Sequence, residues 1–473
     1  MQSGKRKQIR VLITNRWRFP HIFSFIRMEK NQAVTQGGAQ MKKMASKWMT
    51  AGMALLLAVV TGCSQSQPAE TQNTGNNTGS ATPTPSEKKE TVTLRFATWD
   101  TDEMLKIQQD IAKKFEQKNP GVKVQVEAYA DGFDQKLVAA FGAKNPPDVM
   151  YMWDFPTYHA SLEPLDEFAK KDPTVAIDDF YQGLLNYNRY NGNLYGLPAG
   201  FSTRVMFYNK KLFNEANVPL PTDGWTYDDF KAAAKHLTVR EKKQYGFAVR
   251  SEPDTYDLQE VVWSNGSSFI SPDGKSIDGF MNSKETAQAL QVFSDLTKEK
   301  SAVLVGGKNQ QSGNDLFKAG KLAMYDNGVW SLESYKKANV DFGTVVMPQF
   351  PGKQGKGVIA TSSVSIAKDS KHKELAWEFV KYFVSSEAIK MRTSDLPVRI
   401  SVVQEKKLDQ DALYAPFYKM LEKSNDTPAF LLHPHWNEIN RNLSAAVNAI
   451  MLGQNAEELL NKAVKDSQKY MQK

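Results

Sequence analysis

Two tryptophan–aspartate pairs, Trp99-Asp100 and Trp153-Asp154, stand just past segments patterned as strands. An indole offers a flat apolar plate, and an ionised carboxylate accepts hydrogen bonds through two oxygens. Together they suit a ligand with a flat C–H face edged by hydroxyls, held in a largely apolar cleft with a few placed polar groups. Each pair also has a plainer reading. The indoles could be core, since large aromatics are highly buried on average, and the aspartates could cap the helices that follow. Asp102 belongs to that plainer class, as a first-turn acid. Signatures of catalysis are missing: there is no Gly-x-Ser-x-Gly, no His-Glu-x-x-His and no cysteine nucleophile.

The elements that must position these pairs alternate in type. Thr91–Ala97 sets Val92, Leu94 and Phe96 on one face, as a strand does. Thr101 then opens a helix with Ile107, Ile111 and Phe115 on its stripe, ended by Asn119-Pro120-Gly121. Val122, Val124 and Val126 mark a second strand, and a helix follows around Asp134–Phe141. Asn145-Pro146-Pro147 breaks it before a buried strand, Asp148–Met152. Strands alternating with helices imply a mostly parallel sheet, whose ligands bind beyond the strand carboxyl ends. Both pairs lie at such ends. Farther on, the pattern predicts a helix from Trp225 to about Leu237, a strand over Tyr245–Val249 and a helix over Leu258–Trp263. Three more helices follow, over Thr286–Thr297, Leu375–Phe383 and Ala456–Tyr470.

The one cysteine, Cys63, closes a short greasy segment, Met53–Val60, that follows Lys42, Lys43 and Lys47. Basic residues, an apolar run and small residues before a cut make a secretory signal, too short to span a bilayer. With cysteine at the cut it resembles the lipobox of bacterial lipoproteins, in which the thiol takes a diacylglycerol. Residues 1–40 then read as an upstream leader with Met41 as the start, 41–62 as signal peptide, and 63–90 as a flexible tether poor in apolar side chains. Residues 1–62 hold 11 of the 60 basic side chains and one of the 52 acids. The rest is close to neutral, so composition gives no support for nucleic-acid binding. The 383 residues from Thr91 to Lys473 suit two lobes.

Ten segments in order carry a wider resemblance: Asp148–Met152, Leu194–Pro198, Met206–Phe213, Trp225–Phe230, Phe317–Tyr325, Gly328–Trp330, Phe342–Pro348, Val358–Ala367, Glu374–Val380 and Leu396–Arg399. Together they resemble the bacterial extracellular solute-binding proteins of family 1, of the maltodextrin-binding type, which serve carbohydrate ABC importers. The resemblance implies an α/β, two-lobe periplasmic-binding-protein-like fold with hinge strands and a central ligand cleft. It assigns 91–199 plus 359–395 to lobe one and 200–358 plus 396–473 to lobe two. Crossings are expected near Pro198–Gly200, Ile359-Ala360 and Leu396-Pro397.

The resemblance also implies a carbohydrate ligand, with Trp330 facing it from lobe two and Trp436 presenting a further ring. Trp263 is read either as cleft floor or as core. Hydroxyl partners are sought among Asp100, Asp154, Arg204, Glu252, Asn327 and Arg399; the two arginines could instead bridge the lobes as ion pairs. The implied protein is a monomer outside the cell membrane, lipid-anchored or periplasmic. It closes on sugar, passes it to permease subunits, and uses no cofactor or metal. A lipid-anchored glycoside hydrolase would need two carboxyls flanking the scissile bond. A polysaccharide binder without transport would lack only the permease. His433-Pro434-His435 is read as a turn rather than a metal site, since few other histidines exist.

Overall fold

The computed structural model describes residues 91–307, 311–392 and 395–472. Cys63, the leader, the signal peptide and the tether lie outside the described residues. In chain order the strands that build the two main sheets are β1 (Val92–Thr98), β2 (Val122–Ala128), β3 (Val149–Met152), β4 (Leu197–Thr203) and β5 (Val205–Asn209). They continue with β6 (Tyr245–Arg250), β7 (Ala302–Val305), β8 (Leu322–Asn327), β9 (Phe342–Val345) and β10 (Ile359–Ile366).

The first sheet has the order β2-β1-β3-β10-β4, and the second β9-β5-β8-β6-β7. Parallel pairing of β1 with β2 and β3 follows from the helices that join them. In each sheet one strand runs against the rest, and it is the strand arriving from the other lobe. β10 returns from the second sheet and pairs antiparallel with β3 and β4. β5 arrives from the first and pairs antiparallel with β8 and β9. Arg204 alone separates β4 from β5, so the first crossing is one residue long. The chain crosses back through 346–358.

The patterns expected from sequence recur with shifted ends. The first helix runs Asp102–Lys118 and buries Ile111 and Phe115. Tyr227–His236 starts at a capping box in which Thr226 and Asp229 satisfy each other's backbone N–H. Thr255–Ser264 begins three residues before its expected start because Asp254 accepts from the Tyr256 N–H and caps it there. Two expected crossings move: the first lies at Arg204 rather than Pro198–Gly200, because Leu197–Thr203 belongs whole to the first sheet. Leu396-Pro397 does not end the first lobe, because Arg399 pairs with Asp179 and Ser401 donates to the same carboxylate from both its N–H and hydroxyl. The chain turns to the hinge only with helix Ala415–Glu422, which packs on β4 and β5. Among the described residues, no helix is long and apolar enough to cross a membrane.

Candidate functional site

At the end of β1, Trp99 is half-buried, 4.6 Å from the Tyr151 ring and 5.1 Å from Phe133. Its neighbour Asp100 does not cap the following helix, whose N-cap is Thr101. Its carboxylate accepts from Gln108 Nε2 at 2.6 Å. Arg392 lies alongside, donating to the Tyr151 hydroxyl and pairing with Asp395. Burial raises the Asp100 carboxyl above its ordinary range, partly offset by the Arg392 charge.

At the end of β3 the second pair is divided between two jobs. Asp154 caps the short helix Phe155–Tyr158, accepting from Thr157 N–H at 3.2 Å. Burial pushes its carboxyl up too. Trp153 is half-buried and lies 5.9 Å from Phe430, a ring carried by helix Ala429–Leu432 of the second lobe. Phe430 also sits 5.8 Å from Tyr187 and 6.0 Å from Tyr256. Four aromatic rings therefore meet where the lobes touch, one of them the strand-end tryptophan.

Trp330 follows β8 and is half-buried. A Cβ on Gly328 would collide with its benzo ring, so only glycine lets the indole lie there. The Arg204 guanidinium sits 5.8 Å from the Trp330 ring centroid. Arg204 is 6 % exposed and pairs with Asp257 and, at 4.0 Å, Asp326. Both acids belong to the second lobe, so the pairing does not bridge the lobes.

The remaining candidates are placed elsewhere. Asn327 is buried; its amide donates to Asn314 at 2.7 Å and to the Tyr335 hydroxyl at 2.9 Å, and its own oxygen accepts from Gly328 N–H. Trp263 and Trp436 are only 7 % and 8 % exposed, Trp436 packed into the core at the start of helix Trp436–Met451. Glu252 is exposed in the loop after β6. Arg399 is fixed on the first lobe, over Phe180 at 4.3 Å and against Asp179. His433 and His435 form a turn, with the His435 N–H donating to His433 Nδ1 at 3.2 Å.

Residues 98–390 match the bacterial extracellular solute-binding protein family. The chain belongs to that family. A maltotriose-binding protein of Pyrococcus abyssi is 26 % identical over 327 residues, covering 66 % of this chain and 68 % of that protein. An ABC substrate-binding protein of Listeria monocytogenes, solved with cycloalternan, superposes with a TM-score of 0.66 at 24 % identity, over 81 % of this chain and all of that one. The sugar-binding protein MalE of Xanthomonas citri gives 0.70 at 21 % identity, over 80 % and 98 %. The fold of this solute-binding protein is thus the expected two-lobe α/β plan.

Sequence reasoning missed Phe430, Tyr187 and Tyr256 as partners in the solute-binding protein's inter-lobe junction. Tyr256 carried a usable signal, standing in the first turn of a helix that Asp254 can cap. Phe430 carried none: Pro428 and Pro434 bracket it and erase any periodicity.

Proposed function

We propose that this solute-binding protein captures a sugar or oligosaccharide between its lobes and delivers it unaltered to ABC permease subunits. Lipid on Cys63 holds it to the outer face of the membrane. The observation that carries the reading is the aromatic junction: Trp153 from the first lobe meets Phe430 from the second, with Tyr187 and Tyr256 beside them. Trp153, Trp330 and Trp99 supply plates for sugar C–H faces, Trp99 backed by the buried Tyr151. Asp154 and Asp100 supply carboxylates at two strand ends; Asp154 holds its rim through the cap it makes. Relatives named for maltotriose and galactooligosaccharide support the ligand class. Lobe one is 91–203 plus 359 onward through helix Ile400–Glu405, and lobe two is 205–345 with the helices after Ala415–Glu422. The protein acts as a monomer without catalysis, and oligosaccharide incubated with it releases no reducing ends.

Mechanistically, free protein samples open and closed lobes, and a sugar that touches both shifts the population toward closed. A ligand that binds only the folded state raises apparent stability with concentration. Melting temperatures of residues 91–473 against mono- and oligosaccharides test the ligand class. Trp330→Ala and Asp154→Ala are each expected to weaken the sugar found by at least about fivefold, the scale of one stacked ring or one hydrogen bond. Unchanged affinity in both variants would remove the site from this cleft.

A further inference from the structure

We propose that Arg204 is a positioning residue: from inside the crossing between the lobes, it fixes the Trp330 indole in its ligand-facing pose. The inference rests on the reading of Trp330 as a sugar plate. Arg204 is the single residue between β4, in the first sheet, and β5, in the second. Its side chain turns into the second lobe, where Asp257 pairs with it and Asp326 lies 4.0 Å from Nη1. Asp326 is itself anchored by Arg250 at 2.6 Å. The guanidinium is thus held on two acids, one on a helix and one on a strand.

On the indole side the fit is specific. Gly328 supplies the flat backbone surface that the Trp330 ring needs, but a glycine gives the ring nothing to hold it in one pose. The guanidinium, 5.8 Å from the ring centroid, does so by attraction to the negative π face. Among the described residues Arg204 Nε and Nη1 have no hydrogen-bond partner, so no oxygen there competes with the ring for the cation. Only 8 % of the Arg204 side chain is exposed, which makes it a poor direct ligand for hydroxyls. Its effect on sugar passes through Trp330.

The placement also links the plate to the hinge. Helix Thr255–Ser264, which carries Asp257, grips the return crossing as well: Tyr256 donates to Ile359 O. Thr203, the residue before Arg204, donates from Oγ1 to Val358 O at 2.7 Å. One helix therefore fixes both crossings and the cation behind the plate. As the lobes close, Trp330 moves with the hinge frame instead of lagging on its loop.

The test uses residues 91–473 labelled with 5-fluorotryptophan, with the Trp330 fluorine signal assigned by Trp330→Phe. In ligand-free protein, Arg204→Met is expected to shift and broaden the Trp330 signal while Trp225 and Trp377 stay put. Asp257→Asn, which loosens the pin without removing the cation, is expected to shift it the same way by less, and Arg204→Lys to restore part of the wild-type position. A Trp330 signal unmoved in both Arg204→Met and Asp257→Asn overturns the inference. Titration with maltotriose then separates it from the reading beneath it. Trp330→Ala and Arg204→Met are each expected to weaken binding about tenfold, and the double variant no further than Trp330→Ala alone. Full additivity in that cycle overturns positioning while leaving the plate in place. Unchanged affinity in Trp330→Ala, or a wild type that binds neither maltotriose nor any sugar of the melting screen, overturns the plate itself.

Discussion

At Arg399 every guanidinium nitrogen has a partner: Nε donates to Val384 O, Nη2 to Val175 O at 3.0 Å, and Nη1 faces Asp179 at 3.2 Å. Those three bonds tie it to the first lobe. Among the described residues Arg204 keeps two nitrogens without a hydrogen bond and spends its charge on a ring and two acids. Sequence alone made these arginines equivalent, because residue type and nearness to a crossing say nothing of which partners arrive from distant segments. Asp254 shows the same dependence in a titration. Burial, and then the Asp257 charge, push its carboxyl from 3.8 up to about 6, although Tyr256 N–H and the Arg204 charge pull it down. A carboxyl raised on folding contributes its stability below the unfolded value and loses it as pH climbs through the folded one. Wild type is therefore expected to lose stability between about pH 4 and pH 6 through this group. Asp254→Asn keeps a good helix cap and removes the charge. It should be more stable than wild type at pH 7, on the order of 3 kcal/mol, and no more stable near pH 4. Urea midpoints at pH 4, 5, 6 and 7 check this; an equal gap at every pH would point away from the carboxyl.

The second lobe's sheet and its helix Tyr227–His236 approach more closely at Gly246 than a side chain permits. A Cβ there would drive into the backbone of Ala234, where neither partner has a flexible end to give way. Gly246 N–H also donates to Thr238 Oγ1 at 2.8 Å, pinning the strand against the helix terminus. Gly246→Ala is expected to cost about 2–3 kcal/mol by overpacking, while the folded fraction binds sugar with wild-type affinity. Urea unfolding with calorimetric titration of the same samples separates the two effects. This glycine was invisible as a packing site in the sequence, where Tyr245–Val249 read only as a strand. What was legible were elements with a strong local period: β1 through β3, the helix burying Ile111 and Phe115, and the amphipathic helix Lys284–Lys298. Helix Trp436–Met451 went unread because the expectation for Trp436 fixed on its rings and histidines rather than on Ile439, Leu443, Val447 and Ile450, which it buries. Strand-end logic found both tryptophan–aspartate pairs. It could not tell that one aspartate caps a helix and the other holds a glutamine, since those hydrogen bonds depend on where the chain goes next.

Across the whole molecule, the lobes communicate through very little material. The first crossing is one residue, and Thr203 ties it to the second crossing through Val358 O. Motion about so short a joint is a hinge rotation, in which a few terminal residues of strands absorb the change. The lobes also meet at an aromatic contact beside the return crossing, Phe430 against Trp153 at 5.9 Å with Tyr256 joining it to Ile359, and we expect it to bias how much of the free protein is closed. An aromatic pair contributes about 0.5–1.5 kcal/mol beyond area, so its loss should change the open-to-closed ratio by a factor of about 2 to 12. Phe430→Ala is expected to enlarge the radius of gyration of ligand-free residues 91–473 and to deepen the contraction seen on adding saturating sugar. Apparent affinity falls in step with the closed fraction, because a ligand that needs the closed form must first populate it. Small-angle scattering with and without sugar measures both quantities on one sample. If Phe430→Ala scatters like wild type in the free state, the ring is not what holds the halves together, and the free population is set at the crossings instead. A Thr203→Val variant would then show the expansion that Phe430→Ala did not.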